Sequence, residues 1–126
     1  MIQGRDVFIQ SSCASGRTSL SIITTLQLID PAAKECQALI MCPRRLEAQL
    51  AREIAMKIGQ KMGLKATALI GGVSAEEQIK EIREGTSLIV GTPGRILDVF
   101  ELSELSFERL RLVIVEGCDE ILEIGF

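Results

Sequence analysis

The chain has 126 residues, a net charge of −3 and a hydrophobic share of 47%, which suits one domain, 1–126, around one core. It contains no His, and its four cysteines, Cys13, Cys36, Cys42 and Cys118, lack C-x-x-C spacing. His-ligated zinc, His general bases and Ser-His-Asp triads are thereby excluded. The acidic balance argues against a domain held to nucleic acid by charge alone, so any polynucleotide contact is expected to be weak. Apolar runs are of strand length rather than membrane length, and no leader pattern opens the chain, so a cytoplasmic or nuclear location without a membrane partner is expected. The cysteines are expected as free thiols, two of them in or beside strands. Cys13 and Cys118 fall on loops that would face each other, a pair too poor in ligands for a good metal site.

Met1 to Gly4 is a lead-in, and Asp6 to Gln10 alternates as a buried first strand. The turn after it, Cys13-Ala14-Ser15-Gly16-Arg17-Thr18, aligns with the end of the phosphate-loop pattern G-x-x-x-x-G-K-[ST], with one Gly and the Thr retained and Arg in place of Lys. Such a turn gathers backbone N–H groups and a helix N-terminus around an anion. Thr18 to Leu28 is a helix carrying Leu20, Ile22, Ile23 and Leu26, ended by Asp30-Pro31. Gln37 to Met41 reads as a strand, and Pro43 opens a long amphipathic helix from about Arg45 to Met62, with Leu46, Leu50, Ile54 and Ile58 on one stripe and Gly63 as its stop.

Lys65 to Ile70 is a third strand, closed by Gly71-Gly72, a pair that permits close approach or positive φ. Ser74 and Glu77 form a capping box for a helix through Glu84. Ser87 to Gly91 is a fourth strand, and Pro93 in Thr92-Pro93-Gly94-Arg95 suits a helix start, with that helix running to about Phe100. Glu101 to Glu108 is an acidic surface connection, Leu112 to Val115 a fifth strand, and Glu116-Gly117 break it before a last helical turn. Strands alternating with helices give an α/β fold with a mainly parallel sheet of about five strands, whose ligands sit at the carboxyl ends of the strands.

Gly4-Arg5-Asp6-Val7, Gly71-Gly72, Gly91-Thr92-Pro93-Gly94-Arg95 and Asp119-Glu120-Ile121-Leu122 through Gly125-Phe126 resemble, in one order over nearly the whole chain, the first RecA-like domain of DEAD-box ATP-dependent RNA helicases, the translation initiation factor 4A type above all. The resemblance implies a RecA-like P-loop three-layer fold. It places ATP phosphates on Ala14, Ser15, Gly16, Arg17 and Thr18, and Mg²⁺ near Thr18 and Glu116. It places RNA, bound weakly and without sequence reading, on Pro43, Arg45, Gln49, Gly71, Gly72, Thr92, Pro93, Gly94 and Arg95. Asp119 would face a second RecA-like domain. Glycine amides, a helix N-terminus and an Arg suit such a phosphodiester track on physical grounds as well.

The departures fall mainly on the ATP side. Where the family has Asp-Glu-Ala-Asp, this chain has Glu116-Gly117-Cys118-Asp119, so Glu116 keeps a charge for metal and is the remaining catalytic candidate, while Gly117 cannot orient water. Arg17 is a planar fork in place of a compact ammonium, and Ala14 adds a Cβ where a Gly is usual. Arg44 stands where the family has Thr, and the following Glu has moved to Glu47. Losing a positioned base commonly costs ~10²–10⁴ in rate, so hydrolysis is expected to be impaired or absent. The alternatives are a protein-interaction scaffold without ATP and, ranked last, an active ATPase using Glu116 and Arg17. Beside the family the chain lacks the adenine-recognising segment, the later Ser-Ala-Thr strand and the second domain. That strand normally lies between the loop strand and the fifth, so either the sheet closes up or another segment fills the slot. Open strand edges are expected to favour a partner chain or self-association.

Overall fold

The computed structural model describes residues 1–103 and 106–126. Glu104 and Leu105, inside the acidic connection expected over Glu101 to Glu108, lie outside the described residues. The elements in chain order are α1 (Arg17–Leu28), β1 (Ala38–Met41), α2 (Arg45–Gly59) with a 3₁₀ turn (Gln60–Met62), β2 (Ala66–Leu69), α3 (Ala75–Arg83), β3 (Leu88–Gly91), α4 (Pro93–Leu102), β4 (Leu112–Val115) and α5 (Cys118–Glu123). The helices and the last four expected strands thus form close to their predicted bounds. Ser74 Oγ accepts from Glu77 N at 3.4 Å and donates to Glu76 Oε2 at 2.6 Å, so the cap of α3 forms on its Ser side.

All pairings are parallel, in the order β2-β3-β1-β4. Parallel strands are joined by crossover helices, which leaves both faces of the sheet to be covered. One face packs Ile22 and Leu26 of α1 and Ala48, Ala51 and Ala55 of α2 on Ala38, Ile40, Leu88 and Val90. The other packs Ile79 and Ile82 of α3 and Ile96 and Val99 of α4 on Leu39, Leu69 and Ile89, with Phe100 and Phe107 stacked at its border, ring centroids 4.2 Å apart. The result is three layers with the sheet in the middle.

Two expectations are corrected. The stretch Asp6 to Gln10 forms no strand: it is irregular and exposed, with Val7 at 52%, Phe8 at 80% and Ile9 at 47%, and the sheet has four strands rather than five. A strand exists only through pairing, and Asp6 to Gln10 pairs with no strand: among the described residues β4 is an edge strand whose outer side the first segment does not join. The second correction concerns α2, which buries Ala48, Ala51, Ala55 and Gly59, while Leu46 and Leu50 are exposed along with Ile58, and Ile54 alone of that stripe packs against the core. Small residues let α2 lie close on the sheet; a Cβ on Gly59 would sit 2.6 Å from Leu64 Cβ. On α1, likewise, Ile22 and Leu26 are buried while Leu20 and Ile23 are exposed.

Cys36 and Cys42 flank β1 and are buried as the small apolar residues expected there, whereas Cys13 and Cys118 are exposed, and all four are free. The last residue of β3 is the tightest point of the sheet. A Cβ on Gly91 would lie 2.5 Å from Leu69 O and 2.9 Å from Leu69 Cβ. Gly91→Ala is therefore expected to lower stability by about 1–3 kcal/mol, read as a fall in the urea midpoint at unchanged slope; an unchanged midpoint would show that β2 and β3 separate without cost.

Candidate functional site

In a parallel sheet all carboxyl ends share one rim, and the four strands here deliver Met41, Leu69, Gly91 and Val115 to it. Gly16 caps α1 at φ 84, the left-handed region that favours glycine, and Ala14 is held at φ 57. A side chain in that region costs about 1–2 kcal/mol. Ser11 Oγ and Ser15 Oγ hydrogen-bond at 2.9 Å across the turn. Among the described residues no side chain caps α1 and no acidic residue sits in its first turn, so its free N–H groups and exposed Arg17 present positive charge at the loop. Thr18 Oγ1 donates to Glu116 Oε2 at 2.9 Å, a bond between residues 98 apart in sequence. The second oxygen of Glu116, Oε1, is buried without a partner among the described residues. The pair offers a hydroxyl and a carboxylate oxygen, the ligand type of a small hard cation, while among the described residues no three His, Cys, Asp or Glu side chains cluster to hold one by themselves.

Along the same rim Pro43, Arg44, Arg45, Thr92, Pro93, Gly94, Ile121, Ile124 and Phe126 line a cleft of about 280 Å³. Arg45 is laid over the glycine pair: a Cβ on Gly71 would be 2.7 Å from Arg45 Nη2, and one on Gly72, at φ 90, 3.5 Å from Nη1. Both expected uses of the pair, close approach and positive φ, are realised. Phe126 is the neighbour of Gly94, its Cζ 3.5 Å from where a Cβ would stand. Thus Pro43, Arg45, Gly71, Gly72, Thr92, Pro93 and Gly94 come together.

Two expected members differ. Gln49 points into a separate polar groove between α2 and α3, with Arg52, Gln78 and Glu81. Arg95 is only 16% exposed and is engaged internally, Nη1 donating to Val73 O at 2.7 Å and to Gln78 Oε1 at 3.0 Å, while its buried Nε lies 3.6 Å from Asp98 Oδ2. It braces the turn after β2 against the start of α4. Asp119, on the first turn of α5, is exposed.

The chain matches the DEAD/DEAH box helicase family over residues 1–126. It belongs to that family. It is 39% identical to ATP-dependent RNA helicase eIF4A of Aspergillus clavatus and 37% identical to that of Chaetomium globosum, in each case over 100% of this chain and 32% of the relative. The chain therefore spans about a third of the length of these relatives. Among solved structures, a hypothetical ATP-dependent RNA helicase from Sulfolobus tokodaii superposes with a TM-score of 0.86 at 28% identity, covering 99% of this chain and 36% of that one. The yeast DEAD-box splicing factor Prp28 gives 0.81 at 27%, covering 92% of this chain and 29% of that one. The three-layer α/β fold is RecA-like.

The turn after β4 is conformationally committed. Gly117 has φ 59, and a Cβ there would meet Pro43 Cγ at 3.0 Å, so a carboxylate-bearing residue does not fit without strain. Sequence reasoning noted Arg44 only as a departure and did not single out Glu120, yet Arg44 Nη2 is 2.7 Å from Glu120 Oε2, and Arg44 Nη1 is 3.7 Å from Glu47 Oε1. Glu47 is held above the usual carboxylate range by burial, then by Glu120, against the pull of Arg44. No local spacing signals the Arg44–Glu120 pair, because the partners belong to different crossovers.

The four thiols differ in exposure. Burial pushes Cys36 up to about 11, and burial, then Glu116 and Glu47, push Cys42 up to about 12. The unfolded thiols ionise near 9.0 and the folded ones only near 11 and 12, so the unfolded state binds fewer protons across that window, and the stability present below pH 9.0 is expected to fall as pH rises from 9.0 toward 11 and 12. An aromatic disulfide reagent at pH near 8 is expected to modify the exposed Cys13 and Cys118 quickly and Cys36 and Cys42 only after denaturant. Four fast thiols in the native protein would contradict the packing around β1.

Proposed function

We propose that residues 1–126 are the first RecA-like domain of an RNA helicase, binding ATP with Mg²⁺ and single-stranded RNA, with ATP hydrolysis impaired in this chain. The observation that carries the reading is the meeting of Thr18 and Glu116 at the phosphate-loop rim, with Glu116 Oε1 buried and unpartnered among the described residues. Ala14, Ser15, Gly16, Arg17 and Thr18 would hold the phosphates, and Thr18 with Glu116 would hold Mg²⁺, which when bound neutralises phosphate charge. Around them the chain's own groups set the limits of the chemistry. Arg17 supplies a fixed positive fork, Ala14 narrows the approach to the backbone, and Gly117 brings no carboxylate to orient water.

The cleft of Pro43, Arg45, Thr92, Pro93 and Gly94, with Gly71 and Gly72 against the Arg45 side chain, supports binding of a phosphodiester strand without reading of bases. The eIF4A relatives are named as ATP-dependent RNA helicases, and the chain's share of their length leaves room for a second RecA-like domain facing Asp119. A scaffold that no longer binds ATP is favoured by one observation: Asp6 to Gln10 is not anchored in the sheet, so the loop is held only from its α1 side. Among the described residues no helix is long and apolar enough to cross a membrane.

Calorimetry with ATP, with and without Mg²⁺, tests the choice. Mg²⁺-dependent binding that weakens about tenfold or more in Arg17→Ala, with no turnover above background, is expected; no heat at millimolar ATP would leave the scaffold. The free edge of β4 with exposed Val113 and Val115 further supports a partner strand, from another domain or a second copy. Light scattering is expected to show mass rising with concentration, and less so in Val113→Lys; a constant monomer mass would remove the edge as a self-association surface.

A further inference from the structure

The cleft described above carries three consecutive residues of the β1–α2 connection, Pro43, Arg44 and Arg45, but its two arginines are used differently. Arg45 rests on the glycine pair. Arg44 leads away from it, 68% exposed, with one nitrogen 2.7 Å from Glu120 Oε2 and the other 3.7 Å from Glu47 Oε1. Glu120 itself is on α5, the helix whose Ile121 and following Ile124 line the same cleft.

We propose that Arg44 is a phosphate ligand of this cleft and that Glu120 is its intramolecular competitor, so that an incoming strand must displace a carboxylate from the arginine it binds. The inference rests on the RNA-binding reading. Three features support the exchange. The pair is exposed on both sides, 68% and 39%, and exposed ion pairs are weak enough to be given up. A phosphodiester offers the guanidinium the same planar, charge-assisted two-bond contact as the carboxylate. The carboxylates around Arg44 also crowd one another: Glu47 feels Glu120 and Glu116 as like charges, with Arg44 and Arg17 as the opposing ones. A strand phosphate therefore has to compete for Arg44 in a place that also holds Glu47 and Glu116, and affinity is held down by these carboxylates, Glu120 first, rather than by a lack of cations. The same pair ties α5, directly after Glu116 and Gly117, to the turn that begins the strand track.

The charge exchange has a signature that a packing role lacks. With Glu120 charged, the charge of Arg44 is already compensated and a strand phosphate gains little net neutralisation; with Glu120 neutral, Arg44 neutralises one strand phosphate outright. Each phosphate neutralised releases cations condensed on the strand and adds about 0.7 to the slope of log affinity against log salt for single strands.

The test is fluorescence anisotropy with a labelled ten-nucleotide oligouridylate over 20 to about 200 mM salt, on the unaltered chain, Glu120→Gln, Arg44→Thr and the double variant, with circular dichroism to verify folding of each. Expected are a threefold to tenfold gain in affinity and a slope steeper by about 0.7 for Glu120→Gln, and loss of both in the double variant. Equal affinity and slope in the unaltered chain and Glu120→Gln would overturn the inference while leaving RNA binding in place. So would a gain that survives in full in the double variant, which would assign it to bulk charge. No binding by any of the four at low salt would overturn the RNA-binding reading, and this inference with it.

Discussion

The pairing of β1 with β3 on one side and β4 on the other is the constraint on which the rest of the molecule depends. Its parallel register sets Met41 beside Gly91 and Val115, and so fixes where three connections begin. Pro43 and Arg45 follow β1, Thr92 to Gly94 follow β3, and Glu116 follows β4. Residues distant in sequence therefore share a rim because hydrogen-bonded strands of equal length end together. Thr18 reaches this rim from α1, which packs on the same sheet face through Ile22 and Leu26.

The two edges of that sheet are treated differently. On β2, Arg52 Nε donates to Ala66 O at 2.9 Å, and just past its end Gln78 Nε2 donates to Ile70 O at 3.0 Å, so side chains of α2 and α3 occupy carbonyls that another strand could take. On β4 the inward groups bond β1, as Leu112 N to Gln37 O and Glu116 N to Met41 O do, and strand geometry then turns the backbone of Val113 and Val115 outward. Their side chains lie on the face of Leu39 and Met41, where α3 and α4 do not cover them. An uncharged edge with exposed valines leaves the outward backbone groups of β4 to solvent or to another strand, and Val7, Phe8 and Ile9 of the first segment are exposed as well.

The chemistry of the rim divides along the same lines. On the strand side, glycines at Gly71, Gly72 and Gly94 keep the backbone open and Arg45 is set in place. At the loop after the first segment, Ala14 is left-handed and Arg17 is exposed, and after β4 Gly117 brings no side chain, while Thr18 and Glu116 meet through their side-chain oxygens. The Arg44–Glu120 pair lies between the two.

Sequence by itself determined the order of the helices and of the last four expected strands, the parallel α/β class and the family, because strand-length apolar runs, the Gly71-Gly72 pair and the Pro93 helix start are local signals with local causes. Even so, periodicity chose the wrong face of α2: it sees only apolarity, whereas the distance from helix to sheet selects Ala48, Ala51 and Ala55 over Leu46 and Leu50. Only tertiary structure decided that Asp6 to Gln10 stays out of the sheet, since a strand exists through its neighbour and not through its own alternation. It alone decided that Arg95 is spent on Val73 and Gln78, that Gln49 faces another groove and that Arg44 meets Glu120. Those are contacts between crossovers, fixed by the register of the sheet and invisible to any spacing along the chain.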